Sequence, residues 1–261
     1  MDQQYLSKIL VVLLAGFLGW HLAGWITSPS SEPSSDRLTI QEQPIQQNCE
    51  EEITDIDGNS YSTWQFKDQC WMGENLSTTR YRDGEEIARP TTDEEWRETG
   101  LNETGAYACY DDQEENCNTY GALYNSYAVA TGKLCPEGWQ VPSDDDWKEL
   151  EQELGMSREE ADLLYWRGNP LGIKLAGNYE LWDEDSFRDR EEFGETGFDA
   201  VPAGYRMSNG RYSWLNKRAN IWSSTLRASG WRRTIIYSSS GIRRTAAAKN
   251  FGFSVRCIKD R

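Results

Sequence analysis

Six cysteines and one histidine bound the chemistry open to this chain. His21 sits in an apolar run, so His-based acid–base catalysis and most His-ligated metal sites are excluded from the rest of the sequence. No two cysteines have C-x-x-C spacing, which argues against zinc and dithiol redox chemistry, and an even count in an exported chain reads as three disulfides. Asp183-Glu184-Asp185 is oxygen-rich enough to attract Ca²⁺, but an acidic run is more commonly a solvated loop, and neither a metal nor a cofactor is expected. The remaining chemistry belongs to arginine. Residues 204–261 hold thirteen Lys or Arg against Asp260 alone, a local charge of +12, so the rest of a chain of net charge −16 carries −28. A basic end on an acidic body steers anionic partners, and an anionic protein or polysaccharide fits better than nucleic acid, because the acidic remainder repels a long polyanion. The bland alternative is that these arginines pair with the chain's own acids, especially within 182–195.

The elements that must position these groups divide the chain in three. Residues 9–26, ILVVLLAGFLGWHLAGWI, carry no formal charge and would span about 27 Å as a helix, near the hydrocarbon thickness of a bilayer. Lys8 precedes the run and no small-x-small cleavage site follows it, so 1–27 reads as an uncleaved anchor in preference to a signal peptide. Residues 28–48 are rich in Ser, Pro and Gln, the composition of a flexible linker. A domain then occupies 49–261, placed outside the cytoplasm, at the periplasm or cell surface.

Within that domain, ITDIDGNSYSTWQF predicts a hairpin about Asp57-Gly58. Residues 120–130 predict a short apolar helix. Ser143 caps a clearer one, with Asp144, Asp145 and Asp146 in its first turn, Trp147, Leu150 and Leu154 on one face, and Gly155 as its stop. Ser157 and Glu160 mark the start of another. From Gly197 onward the pattern is strand and turn, with a turn at Ser208-Asn209-Gly210 and a strand over 235–240. Helices early and strands late predict an α+β domain.

The order of five blocks carries a resemblance. TDIDGNSYSTWQFKDQCWMGENL, TYGALYNSYAVATGKLCPEGWQVPSDDDW, ETGFDAVPAGYR, IWSST and GFSVRCIKD follow one another between residues 54 and 260. The chain resembles the Fibrobacter succinogenes major paralogous domain, a bacterial surface family. The resemblance implies a C-type-lectin-like fold and an exported location, but no established activity. The Glu-Pro-Asn and Trp-Asn-Asp strings of calcium-dependent lectins do not occur. GFSVRC is also similar to the ending of formylglycine-generating enzymes, yet 226–250 contain no cysteine, so the enzyme reading is disfavoured and no catalytic residue is expected. Cys135 and Cys257 fall in two family blocks, which implies that they pair. Cys109 and Cys117 enclose an acidic turn, leaving Cys49 and Cys70, although the sequence alone permits fifteen connectivities.

The stretch 226–248, LRASGWRRTIIYSSSGIRRTAAA, departs from the Asn, Ser and Tyr usual in that family. Randomised adenines in Asn codons never yield Lys, Glu, Gln, Trp or Met. Those five types make up 60 of the 261 residues, so about five are expected in 23 positions, and only Trp231 is found. That is the mark of a diversity-generating retroelement target, with a candidate variable region over 226–251; drift of a Ser/Arg-rich strand is the alternative. The resemblance implies a framework at Arg233, Ile235, Arg244 and Lys249. The candidate binding face is Leu226, Arg227, Ser229, Arg232, Thr234, Ile236, Tyr237, Arg243, Thr245, Ala246 and Ala247, expected to be exposed on strands. The function expected is therefore a membrane-anchored surface protein that binds a ligand through this face. A structural or matrix-associated surface protein is the alternative.

Overall fold

The carboxylate of Asp55 organises the first turn. It accepts hydrogen bonds from the backbone N–H groups of Asp57 (2.9 Å) and Asn59 (3.0 Å) while Gly58 takes φ +87°. Strands β1 (Ile53–Thr54) and β2 (Ser60–Tyr61) therefore close as the expected antiparallel hairpin. The structure, a computed structural model, describes residues 48–50, 52–184 and 187–261. The expected anchor over 1–27 lies outside the described residues, as does all of the expected linker except Asn48.

After β3 (Thr63–Phe66) and β4 (Gln69–Met72) come α1 (Asp93–Leu101), β5 (Tyr107–Ala108), α2 (Glu114–Tyr120), β6 (Leu123–Tyr124) and α3 (Ser126–Ala130). β7 (Trp139–Gln140), α4 (Asp144–Glu153), α5 (Arg158–Asp162), β8 (Tyr165–Arg167) and α6 (Leu171–Leu175) follow. The last part is mostly strand: β9 (Ala203–Arg206), β10 (Tyr212–Leu215), β11 (Arg218–Leu226), β12 (Gly230–Ile236), β13 (Ile242–Ala247) and β14 (Ile258–Lys259). Among the described residues, two four-stranded sheets, ordered β3-β4-β14-β7 and β11-β12-β13-β8, stand beside three two-stranded pairs. The domain is α+β.

Two elements differ from the sequence reading. Residues 120–130 are not one helix, because Gly121 takes φ +77° and ends α2, and a Cβ there would lie 2.5 Å from that of Asn75. The chain then runs through β6, and α3 restarts where the side chain of Asn125 accepts from the N–H of Ala128. The strand expected over 235–240 ends at Ile236, and Ser239 turns back onto the carbonyl of Ile236 at 3.0 Å. By contrast, α4 forms as read. Ser143 Oγ accepts from the N–H of Asp146 at 3.1 Å, and the Asp146 carboxylate accepts from the N–H of Ser143 at 2.8 Å.

One apolar face of α4 carries Trp147 into a cluster with Trp71 and Phe198, ring centroids 4.9 and 5.6 Å away, beneath the β11–β13 sheet. Trp222 of β11 anchors a second cluster. Its ring lies 4.5 Å from that of Phe253, and its indole N–H donates to the carbonyl of Tyr124 at 2.7 Å. Disulfides join Cys49 to Cys70, Cys109 to Cys117 and Cys135 to Cys257, the pairing that the sequence reading favoured. The last closes a gap of 122 residues and ties the segment before β7 to the segment before β14.

A candidate ligand-binding face

The register of β11, β12 and β13 sorts the arginines into two populations. Arg218 pairs with Ile236, Asn220 with Thr234 and Trp222 with Arg232; Arg232 then pairs with Thr245 and Thr234 with Arg243. Directly opposed residues share a side of the sheet and successive residues alternate. One side therefore carries Arg218, Arg232 and Arg243, and the other Arg233, Arg244 and Arg167.

The inner side is locked to α4. Arg233, 1 % exposed, donates from Nε to Glu151 at 2.6 Å and from Nη1 to Asp144 at 2.7 Å. Arg244 reaches Asp144 at 2.6 Å, and Arg167 reaches Glu151 at 2.5 Å. Burial alone would raise the Asp144 carboxyl, but hydrogen bonds and charge from Arg244 and Arg233 prevail and hold it well below the usual carboxylate range. These arginines are framework, and their acidic partners lie on α4 and not, as the sequence suggested, in 182–195. That stretch takes Lys217, whose ammonium is 3.2 Å from Asp183. Much of the basic end is consumed in this way. Arg206 and Arg256 are fully buried and donate to backbone carbonyls, while Lys259 and Arg261 pair with Glu50 and Glu149.

On the outer side the arginines meet aromatic rings. The guanidinium of Arg218 lies 4.2 Å from the ring of Trp214 and 5.8 Å from that of Tyr205. Arg232 lies 4.6 Å from Phe253, and Arg243 lies 5.6 and 5.9 Å from Tyr165 and Trp166. Arg232 also donates to the side-chain oxygen of Asn220, which Thr234 Oγ1 shares at 2.9 Å. Among the described residues no carboxylate pairs with any of the three, and the Nε atom of each is buried without an acceptor. Burial pushes Arg232 down to about 10, with Arg218 and Arg243 adding like-charge repulsion. Burial lowers Arg218 as well.

The expected face is only partly the face that forms. Arg232, Arg243, Thr245 and Ala247 are half-buried on the outer side, with Leu226 and Ser229 half-buried and Arg227 exposed at the β11–β12 turn. Thr234 and Ile236 are buried, at 2 % and 8 %, contrary to the exposure expected of them. The cause on the Thr234 side is visible: the side-chain amide of Asn220 donates to the carbonyl of Gly204 of β9 at 3.4 Å, so the β9–β10 hairpin leans over this end of the sheet. Tyr237 and Ala246 fall on the opposite parity. Tyr237 packs against the Trp147 cluster, and Ala246 is exposed on the side of Arg244.

Sequence reasoning missed Arg218, Tyr205, Trp214 and Trp166, because they come from four strands, β8 to β11, at positions outside 226–251. One signal marks the site in the backbone. Trp214 and Tyr165 each take φ +68°, a region that bulky residues avoid at a cost of about 1–3 kcal/mol, and both rings are exposed beside the arginines.

Among the described residues there is no group of three or more His, Cys, Asp or Glu fit to hold a metal ion, and no free cysteine. Asp185 of the candidate Ca²⁺ run lies outside the described residues. The family model of the Fibrobacter succinogenes major domain matches residues 65–259. No curated protein and no solved structure matches the chain.

Proposed function

Given that the chain belongs to the Fibrobacter succinogenes major domain family, we propose that it is a membrane-anchored, extracytoplasmic binding protein with a lectin-like domain. It recognises its ligand through the outer side of the β11–β13 sheet. The observation that carries this reading is the division of labour across one strand pair. Arg233 and Arg244 are committed to Asp144 and Glu151, while Arg232 and Arg243, one residue earlier on each strand, are left without a carboxylate. A surface built in this way tolerates sequence change outside because its registration is held inside. The composition of 226–248 supports a retroelement origin for that change, and the three disulfides are compatible with an oxidising compartment. The apolar run over 9–26 supplies the anchor.

Two measurements test the reading. A near-repeat of the segment encoding residues 221–257, differing only at adenines and lying beside a reverse transcriptase gene, is expected in the genome; its absence would sink the retroelement origin. A display library randomised at Arg227, Arg232, Arg243, Thr245 and Ala247 is expected to fold and to yield clones with different ligands. A library that is mostly unfolded would show that the stretch is core.

A further inference from the structure

We infer that the outer face of this sheet docks an acidic segment of another protein, with Arg218, Arg232 and Arg243 receiving its carboxylates and Trp214 and Trp166 flanking them. The inference rests on the function proposed above and names the partner's chemistry.

Three observations converge. First, the face is a row of donors. Arginine has five N–H donors and no acceptor, and the acceptor at hand, Asn220 Oδ1, is already occupied by Arg232 and Thr234. A ligand here must bring acceptors. A saccharide rich in hydroxyls brings donors as well, to which the arginines offer no acceptor and the Thr245 hydroxyl offers one, whereas carboxylates match the guanidinium fork in both charge and geometry. Second, the arginines repel one another and lack acids of their own, so an incoming anion relieves a strain that the fold does not. Third, the surroundings are those of a protein interface. Exposed Trp214 stands at one end beside Arg218, and exposed Tyr165 and Trp166 stand at the other beside Arg243. Aromatic residues and arginine dominate the hot spots of protein interfaces.

The test uses the full chain in neutral detergent and, as probe, a random glutamate–tyrosine copolymer. Polygalacturonate, which carries carboxylates but no side chains, is the comparator. The copolymer is expected to bind, more weakly as salt rises, and at least about tenfold more tightly than polygalacturonate. Replacing Arg218→Ser, Arg232→Ser and Arg243→Ser should each lower affinity about tenfold, the scale of a lost charge-assisted hydrogen bond. Lysine at the same positions keeps the charge, guards against a serine variant that fails to fold, and is expected to restore only part of the affinity. Equal or tighter binding of polygalacturonate would assign the face to acidic saccharides and overturn the inference. So would copolymer binding indifferent to the three arginines, no copolymer binding, or dimerisation of the chain lost in the triple variant, which would make the occupant a second copy. Ligands selected by display separate this failure from failure of the binding function. If they still depend on Thr245 and Ala247 while the copolymer does not bind, only the acidic partner is wrong.

Discussion

Replacing Glu151 by glutamine removes one negative charge from a buried cluster of three guanidiniums and two carboxylates. Glu151 is fully buried and accepts from Arg233 at 2.6 Å and from Arg167 at 2.5 Å. In Glu151→Gln one acceptor oxygen becomes an NH2 group that faces a guanidinium, so Arg167 or Arg233 loses its partner, and Asp144 alone must balance Arg233 and Arg244. An uncompensated charge is then buried, and breaking such a pair typically costs about 3–5 kcal/mol. For a domain of this size that is a fall in melting temperature of roughly 6–20 °C. Arg233→Met is expected to cost less, about 1–3 kcal/mol, because the two remaining arginines then match the two carboxylates and methionine fills much of the space. Arg243→Ser on the outer side should stay within about 0.5 kcal/mol. Urea unfolding with the disulfides intact, read as midpoint shifts at constant slope, measures all three. The Glu151→Gln loss should persist in high salt, since buried pairs are little screened. The reasoning fails if Glu151→Gln costs less than about 1 kcal/mol, or if Arg243→Ser costs as much as Glu151→Gln.

Asp144 titrates below its ordinary value of 3.8 when folded, so its contribution to stability is complete above that value and is lost as pH falls through the depressed one. Asp144→Asn is therefore expected to be less stable than the parent at neutral pH, with the gap closing in acid; a gap constant down to strongly acidic pH would contradict the pairing. Ile236→Ala, at a position 8 % exposed, should cost about 2 kcal/mol or more, and a neutral result would restore the side chain to the display surface.

What the sequence made legible was mostly local. The Asp57-Gly58 hairpin, the Ser143 cap and the turn at Ser208-Asn209-Gly210 depend on residues within four positions of one another, and each forms. The Cys135–Cys257 link spans 122 residues, and it was within reach because the resemblance singled out both positions. The candidate face was half legible. Strand alternation placed Arg232 and Thr234 together against Arg233 and Ile235, as the register has them. Alternation says which residues share a side, however, and not what covers that side. Thr234 is buried because β9 reaches Asn220 through Gly204, a contact 16 residues distant that no periodicity announces. Arg218, Trp214 and Trp166 were lost for the same reason, since their neighbourhood exists only once β8 has joined the edge of β13 and β10 has folded beside β11.

The same geometry explains how one short stretch can carry so many arginines. Consecutive arginines at 232–233 and 243–244 point to opposite sides, so each pair splits into one anchored and one unanchored guanidinium. Four like charges on two adjacent strands would repel across the ladder if they faced one way. With two of them neutralised by Asp144 and Glu151, only Arg232 and Arg243 remain, joined by Arg218 from β11. The carboxylates that hold the register also keep acids off the outer face, because both project from α4 on the far side of the sheet. Binding capacity and the charge network that holds the register are thereby placed on separate sides of the same strands. The sides separate in the measurements as well: salt should weaken a ligand held by Arg232 while leaving the Arg233 network, and hence the melting temperature, nearly unchanged.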